Sequence, residues 1–173
     1  RAIAPHDPLW FEEPVPPDDI AAIEYVARNT HIPVSAGERL TTKPEFAALL
    51  RAGVRILQPA LGRAGGLWEG KKIATLAEAA GAQIAPHLYA GPVEWAANVH
   101  LAATCPNLLM IETIETPFHD ALIKGAIRVE DGHVQPPTTP GLGIEVDEAL
   151  ARAHPYTGTD LHLAMQEAPC DYA

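Results

Sequence analysis

The chain has 173 residues, of which 47% are hydrophobic and 20% charged, and its formal net charge is −10. Length and composition predict a globular domain with a real core. The acidity, without any run of lysines or arginines, argues against a nucleic-acid-binding protein. No apolar run approaches the ~20 residues that a membrane span needs. Cys105 and Cys170 lie far apart and no signal peptide is recognisable, so we expect a reduced, cytoplasmic protein.

Strands and helices are predicted to alternate along the first two-thirds of the sequence. Apolar runs predict strands at 9–11, 32–36, 54–58, 82–86 and 108–113. Helical patterns fall between them, at about 18–29, 42–52, 67–80 and 93–104. Thr42 is suited to an N-cap, and Gly53 and Gly81 are suited to helix ends. Strands that alternate with helices of this length predict βαβ units and a parallel sheet.

The residues just past the strands fall at a regular spacing. They are Glu12, Glu38, Ala60, His87 and Glu112, separated by 26, 22, 27 and 25 residues. This regularity favours a (β/α) barrel, in which the strand ends converge on one face. Five strands cannot close an eight-stranded barrel. We therefore expect the C-terminal part of a barrel that lacks an upstream half, the alternative being a small α/β domain with open edges.

The pattern changes after Glu112. Two β-prone runs flank Asp131 and Gly132, a dipeptide that predicts a hairpin. The stretch PGLGIEVDEAL (140–150) is expected to fold back over other parts of the protein. The predicted division is a partial barrel over 1–126, a return segment over 127–152 and a tail over 153–173, in which no metal-binding spacing is found.

Two glutamates and a histidine at strand ends suggest a metal site and a group that transfers protons. The carboxylates of Glu12 and Glu38 suit a hard divalent cation, Mg²⁺ above all, because substrate oxygens and water can complete its shell. His87, across a bound substrate, could move a proton. Each residue also has a structural interpretation. Glu12 could be a charge in the first turn of a helix, Glu38 a surface carboxylate and His87 a hydrogen-bonded structural histidine.

Five motifs in order resemble a known family. They are WFEEP (10–14), VSAGERL (34–40), ILQPALGRAGG (56–66), IAPHLYAGP (84–92) and LLMIET (108–113). Together, over about residues 8–146, they resemble the mandelate racemase/muconate lactonizing branch of the enolase superfamily. The similarity is greatest to its acid-sugar dehydratases, the group that includes D-galactonate dehydratase. The resemblance implies a (β/α)₇β barrel, an α+β capping domain toward which residues 127–152 return, and a homo-oligomer.

The resemblance also implies roles for individual residues. Glu12 and Glu38 match two of three Mg²⁺ ligands, while the Asp that supplies the third has no counterpart in this sequence. His87 matches the acid/base histidine. Glu112 matches a carboxylate that hydrogen-bonds the developing enolate or the substrate carboxylate.

The activity that the resemblance implies is dehydration of an acid sugar. A base removes the proton α to a carboxylate, an ene-diolate forms, and a β-hydroxyl leaves as water. One alternative is a racemase, epimerase or cycloisomerase of the same superfamily, which shares the first step. Another is a non-catalytic homologue that only binds its ligand.

Ala60 departs from the family pattern. The GRAGG stretch beside it lacks the Lys-Ser/Thr pair of a phosphate-binding loop, and we expect a tight turn of small residues there. Relatives carry at position 60 an Asp that hydrogen-bonds the catalytic histidine. Three interpretations follow: another group orients His87, the chemistry uses His87 differently, or the protein is a weakened homologue.

Overall fold

The structure is a computed structural model that describes residues 2–114, 116–124 and 127–155. Most of the predicted tail, including Cys170, lies outside the described residues. Among the helices of the described residues, none has the length and apolar character to cross a membrane.

The centre of the fold is a parallel sheet of four strands. These are β1 (Phe11–Glu12), β2 (Val34–Ala36), β3 (Ile56–Leu57) and β4 (Gln83–Ile84), adjacent in chain order. Every pair within this sheet is parallel. The strand predicted over 108–113 is reduced to a single parallel bridge between Ile84 and Leu108. The predicted α/β class and its parallel strand order are therefore confirmed, with strands shorter than expected.

Helices connect the strands. They are α1 (Ile20–Asn29), α2 (Lys43–Arg51), α3 (Leu61–Ala64), α4 (Gly66–Ala79) and α5 (Pro92–Ala103). The stretch expected as a tight turn after β3 is instead helical: α3 forms one turn, and Gly65, at φ 92°, separates it from α4. A left-handed residue of this kind favours glycine, and it redirects the chain between the two helices.

The core lies between the sheet and its helices. Val34 and Ala36 of β2, Leu57 of β3 and Ile84 of β4 form one buried cluster with helix residues such as Phe46 and Ile73. Strand side chains alternate between the two faces of a sheet. The strand residues between these core positions are therefore on the face away from the helices. Glu12 and Ser35, which are paired in register, are two of them.

The C-terminal part does not extend the parallel sheet. After α6 (Pro117–Leu122), β5 (Ile123–Lys124) pairs antiparallel with β8 (Glu145–Val146), and α7 (Glu148–Ala153) follows. β6 (Val129–Glu130) and β7 (His133–Val134) form the predicted hairpin. Asp131 and Gly132 both have positive φ at its turn, as a two-residue type I′ turn requires. The boundaries at 126/127 and 152/153 remain predictions.

Candidate active site

Three of the four predicted site residues meet beyond the carboxyl ends of the strands. The Nδ1 atom of His87 lies 2.9 Å from Oε2 of Glu112 and 3.3 Å from Oε2 of Glu38. These residues follow β4, the Leu108 bridge and β2, respectively, so separate strand ends deliver them to one place. Their chemical roles remain predictions.

The position of His87 is fixed from two sides. Oε2 of Glu112 accepts a hydrogen bond from the backbone N–H of Leu88 (2.7 Å), which aims that carboxylate at the imidazole. Asn98 of α5, fully buried, donates to the carbonyl oxygen of His87 (3.3 Å). Because an ionised carboxylate only accepts, Nδ1 is the protonated ring nitrogen. Nε2 has no carboxylate partner within the described residues and is the nitrogen available to a substrate.

Glu12 lies in a separate set of contacts. Its Oε2 accepts hydrogen bonds from the indole N–H of Trp10 (2.9 Å) and from the side-chain amide of Gln58 (2.6 Å). Gln58 extends from the end of β3 and is 6% exposed. Glu12 is thus surrounded by donors, whereas His87 is surrounded by acceptors.

A further carboxylate, Glu13, lies next to the predicted ligands. Its Oε1 accepts a hydrogen bond from the backbone N–H of Gly37 (3.4 Å), and its Oε2 is 3.7 Å from Nε of Arg39. Burial raises the pKa of Glu13 above its usual value; the Gly37 N–H opposes this, while the charges of Glu38 and Glu12 add to it. The backbone of Glu13 is left-handed, at φ 33°, a conformation unusual for a residue other than glycine.

A cavity of about 770 Å³ opens beside His87. Its lining includes Glu38, Ala60, His87, Arg39, Arg63 and Tyr89. Ala60 contributes only a methyl group, so no carboxylate approaches the imidazole from β3. Two guanidinium groups and a phenol provide donors for an anionic, hydroxyl-rich ligand.

The chemistry of the available donors fits a hard cation in part. Glu12 and Glu38 come from adjacent strand ends and offer carboxylate oxygens, the ligand type that Mg²⁺ prefers. Within residues 2–114, 116–124 and 127–155, no group of three or more His, Cys, Asp or Glu is placed to hold a metal ion. Two carboxylates suffice for Mg²⁺ when water and substrate oxygens complete its shell.

Sequence reasoning assigned Glu12 but missed the groups that hold it. Trp10 precedes Glu12 by two residues, so the period of a strand places both side chains on one face. That signal was available in WFEEP. The contact from Gln58 joins residues 46 positions apart across an intervening strand, and no local pattern predicts it. Glu13 and Arg39, adjacent to assigned residues, were also missed.

The fold and this set of side chains define a class of protein: part of a strand–helix barrel that presents carboxylates and a histidine at its strand ends. The chain belongs to the enolase C-terminal domain-like family, whose model matches residues 1–150. The family expected from the five motifs is thereby confirmed.

Individual relatives agree with this assignment. A D-galactonate dehydratase from Ralstonia nicotianae is 38% identical over 159 residues, covering 87% of this chain and 42% of that protein. A mandelate racemase/muconate lactonizing enzyme-like protein from Roseovarius sp. TM1035 is 71% identical, with a TM-score of 0.94 over 99% of this chain and 44% of the other. The 3,6-anhydro-D-galactonate cycloisomerase from Zobellia galactanivorans is 38% identical, with a TM-score of 0.78 over 87% of this chain and 44% of that one.

The chain spans about two-fifths of the length of these relatives.

Proposed function

We propose that the protein is a Mg²⁺-dependent dehydratase of an acid sugar such as an aldonate, in which this chain supplies part of the active site. The observation that carries the proposal is the position of His87, which lines the cavity while its Nδ1 faces Glu112 and Glu38. The similarity to a D-galactonate dehydratase supports the choice of substrate class.

Glu12 and Glu38 would hold the Mg²⁺ ion. When bound, the ion would supply the positive charge that stabilises an ene-diolate after the proton α to the carboxylate is removed. The substrate carboxylate would then bind near Glu38, which lines the cavity. Arg39 and Arg63 would then bind hydroxyl groups or a second anionic group further along the sugar chain.

His87 would act on the departing hydroxyl. A proton from Nε2 protonates the hydroxyl group β to the carboxylate as its C–O bond breaks, and water leaves. Glu112 accepts a hydrogen bond from Nδ1–H of His87. This bond stabilises the imidazolium until its Nε2 proton is transferred to the hydroxyl group. The enol that remains becomes a 2-keto-3-deoxy acid by tautomerisation. Removal of the α proton is assigned to a base that we do not place on this chain.

The experiment is turnover of a panel of aldonates and aldarates by the full-length protein with Mg²⁺ in deuterium oxide, followed by NMR and mass spectrometry. A 2-keto-3-deoxy acid carrying deuterium at C3 is the expected product. Deuterium at C2 with every hydroxyl retained would instead identify an epimerase or racemase. Binding of sugar acids without any exchange would identify a non-catalytic homologue.

A cycloisomerase is the second candidate, because one of the similar structures is a 3,6-anhydro-D-galactonate cycloisomerase. Both reactions use a group that protonates an oxygen leaving carbon, so His87 fits either. The two candidates separate on mass: a cycloisomerase product has the mass of its substrate, whereas dehydration removes one water.

A further inference from the structure

We propose that Gln58, assisted by Trp10, positions the Glu12 carboxylate so that it offers a single oxygen atom, Oε1, to a divalent cation. Gln58 is then a positioning residue for the metal site, and this inference depends on the proposed function. Both hydrogen bonds, 2.6 Å from Gln58 and 2.9 Å from Trp10, end on Oε2. Two donors on one oxygen reduce its capacity as a ligand and fix the rotation of the carboxylate, leaving Oε1 as the free oxygen.

The reach of Gln58 depends on a glycine that follows the intervening strand. Gln58 lies at the end of β3 and Glu12 at the end of β1, with β2 separating them. Gly37, just past β2, has φ 133°, and a Cβ there would lie 3.3 Å from the backbone nitrogen of Gln58 and 2.6 Å from the ring of Phe46. The missing side chain therefore lets the end of β3 approach β2 closely enough for the amide to reach Glu12.

The amide oxygen of Gln58 shows which way the amide is turned. Because Glu12 only accepts, the amide nitrogen must face Glu12 and the amide oxygen must face elsewhere. This Oε1 is buried and has no hydrogen-bond partner within the described residues. A buried acceptor without a partner is destabilising, so a donor is expected at this position. A bound water molecule is a donor of the required kind.

The test is to measure the dissociation constant for Mn²⁺ in the full-length protein and its variants. Mn²⁺ replaces Mg²⁺ because the free ion can be quantified by electron paramagnetic resonance. Gln58→Met keeps the side-chain length and removes both polar atoms. It should weaken Mn²⁺ binding by about 10- to 100-fold, the usual loss for removing a group that orients a metal ligand. Trp10→Phe keeps an aromatic ring and removes one donor, and it should weaken binding by a smaller factor.

The matched control is Asn107→Leu. The Asn107 amide donates to the carbonyl oxygens of Ala74 and Ala82 and, like that of Gln58, has a buried oxygen without a partner among the described residues. Neither of these two hydrogen bonds ends on a carboxylate. This variant should lose thermal stability and keep the wild-type dissociation constant. An unchanged constant in Gln58→Met would overturn the positioning role and leave the proposed function intact. If the wild-type protein binds no Mn²⁺, both the inference and the metal-dependent function fail.

Discussion

The two ends of the candidate site are held in opposite ways. At the carboxylate end, Glu12 is surrounded by N–H donors, from Trp10 and Gln58. At the histidine end, His87 is surrounded by carboxylate acceptors, Glu112 and Glu38. Donors on one oxygen fix the rotation of the Glu12 carboxylate, as the proposed ligand role requires. Acceptors fix which nitrogen of His87 carries its proton, as a proton-transfer group requires.

Glu38 belongs to both ends, since it is a predicted ligand and also lies 3.3 Å from Nδ1 of His87. The comparison therefore predicts three kinds of variant. Some should damage metal binding, some should damage proton transfer, and Glu38 variants should damage both. Measuring turnover and Mn²⁺ affinity side by side separates the three kinds.

Glu38→Gln should have the largest effect. A lost ligand forfeits several kcal/mol of charge stabilisation, so kcat/KM should fall by roughly 10³-fold or more, with a matching loss of Mn²⁺ affinity. Glu94→Gln is the matched control: Glu94 lines the same cavity and accepts from the backbone N–H of Gly62 (3.0 Å), a bond that Gln can keep. Wild-type Mn²⁺ affinity in Glu38→Gln would restrict Glu38 to the histidine end.

His87→Asn should abolish proton transfer and spare the metal. We expect kcat to fall by about 10²- to 10⁴-fold, the usual contribution of a general acid or base, with the Mn²⁺ dissociation constant unchanged. His100→Asn serves as a control, because His100 contacts the carbonyl oxygen of Leu142 outside the site. Turnover at the wild-type rate in His87→Asn would remove this residue from the mechanism.

Glu112→Gln should have a milder effect. The amide oxygen can still accept from Nδ1 of His87, but the charge that strengthens this bond is gone. A loss near 1 kcal/mol corresponds to about a fivefold fall in kcat, with little change in Mn²⁺ affinity. A rise in KM alone, with kcat unchanged, would instead assign Glu112 to substrate binding.

The parallel sheet and the strand-end register could be predicted from the sequence because both depend on local, periodic signals. Apolar strand runs, the helix spacing and the Asp131-Gly132 turn each act within a few residues. The helical turn over 61–64 was missed, since its glycines suggested a tight turn of small residues. The Gln58–Glu12 contact could not be predicted from the sequence for another reason: it depends on three strands being adjacent in space.

The sequence also left open how His87 is oriented without an Asp at position 60. The structure places Glu112 and Glu38 at Nδ1, so other groups are available to orient the ring. This favours the first of the three interpretations of Ala60, and it makes the position testable by restoring the missing charge.

Ala60→Asp should therefore leave kcat within a few-fold of wild type but move the pH–rate profile to higher pH. An added carboxylate beside His87 favours the protonated imidazole, whether the residue acts as acid or base. Ala60→Asn, of equal size and uncharged, should leave the profile in place. Identical profiles for wild type and Ala60→Asp would show that position 60 has no electrostatic influence on the histidine.

The smallest effect is expected from a variant remote from both ends. Thr42, the N-cap of α2, donates from its hydroxyl to Oε2 of Glu45 (2.7 Å), and this bond, with the N–H groups of Thr41 and Thr42, lowers the pKa of Glu45. Thr42→Ala should reduce the free energy of unfolding by about 1 kcal/mol at neutral pH, with turnover and Mn²⁺ affinity unchanged.

The pH dependence of that loss follows from the sign of the shift. A carboxylate whose folded-state pKa is depressed stabilises the protein above its ordinary pKa, and this contribution disappears as pH falls through the folded-state value. The difference between wild type and Thr42→Ala in urea unfolding should therefore shrink in acid, while Thr42→Ser, which keeps the hydroxyl, should follow wild type throughout. A difference independent of pH would mean that Thr42 acts through its own cap geometry and not through Glu45. A fall in turnover in either variant would show that α2 is coupled to the site. The geometry of the Glu12 end and of the His87 end would then depend on α2 as well as on the hydrogen bonds within each end.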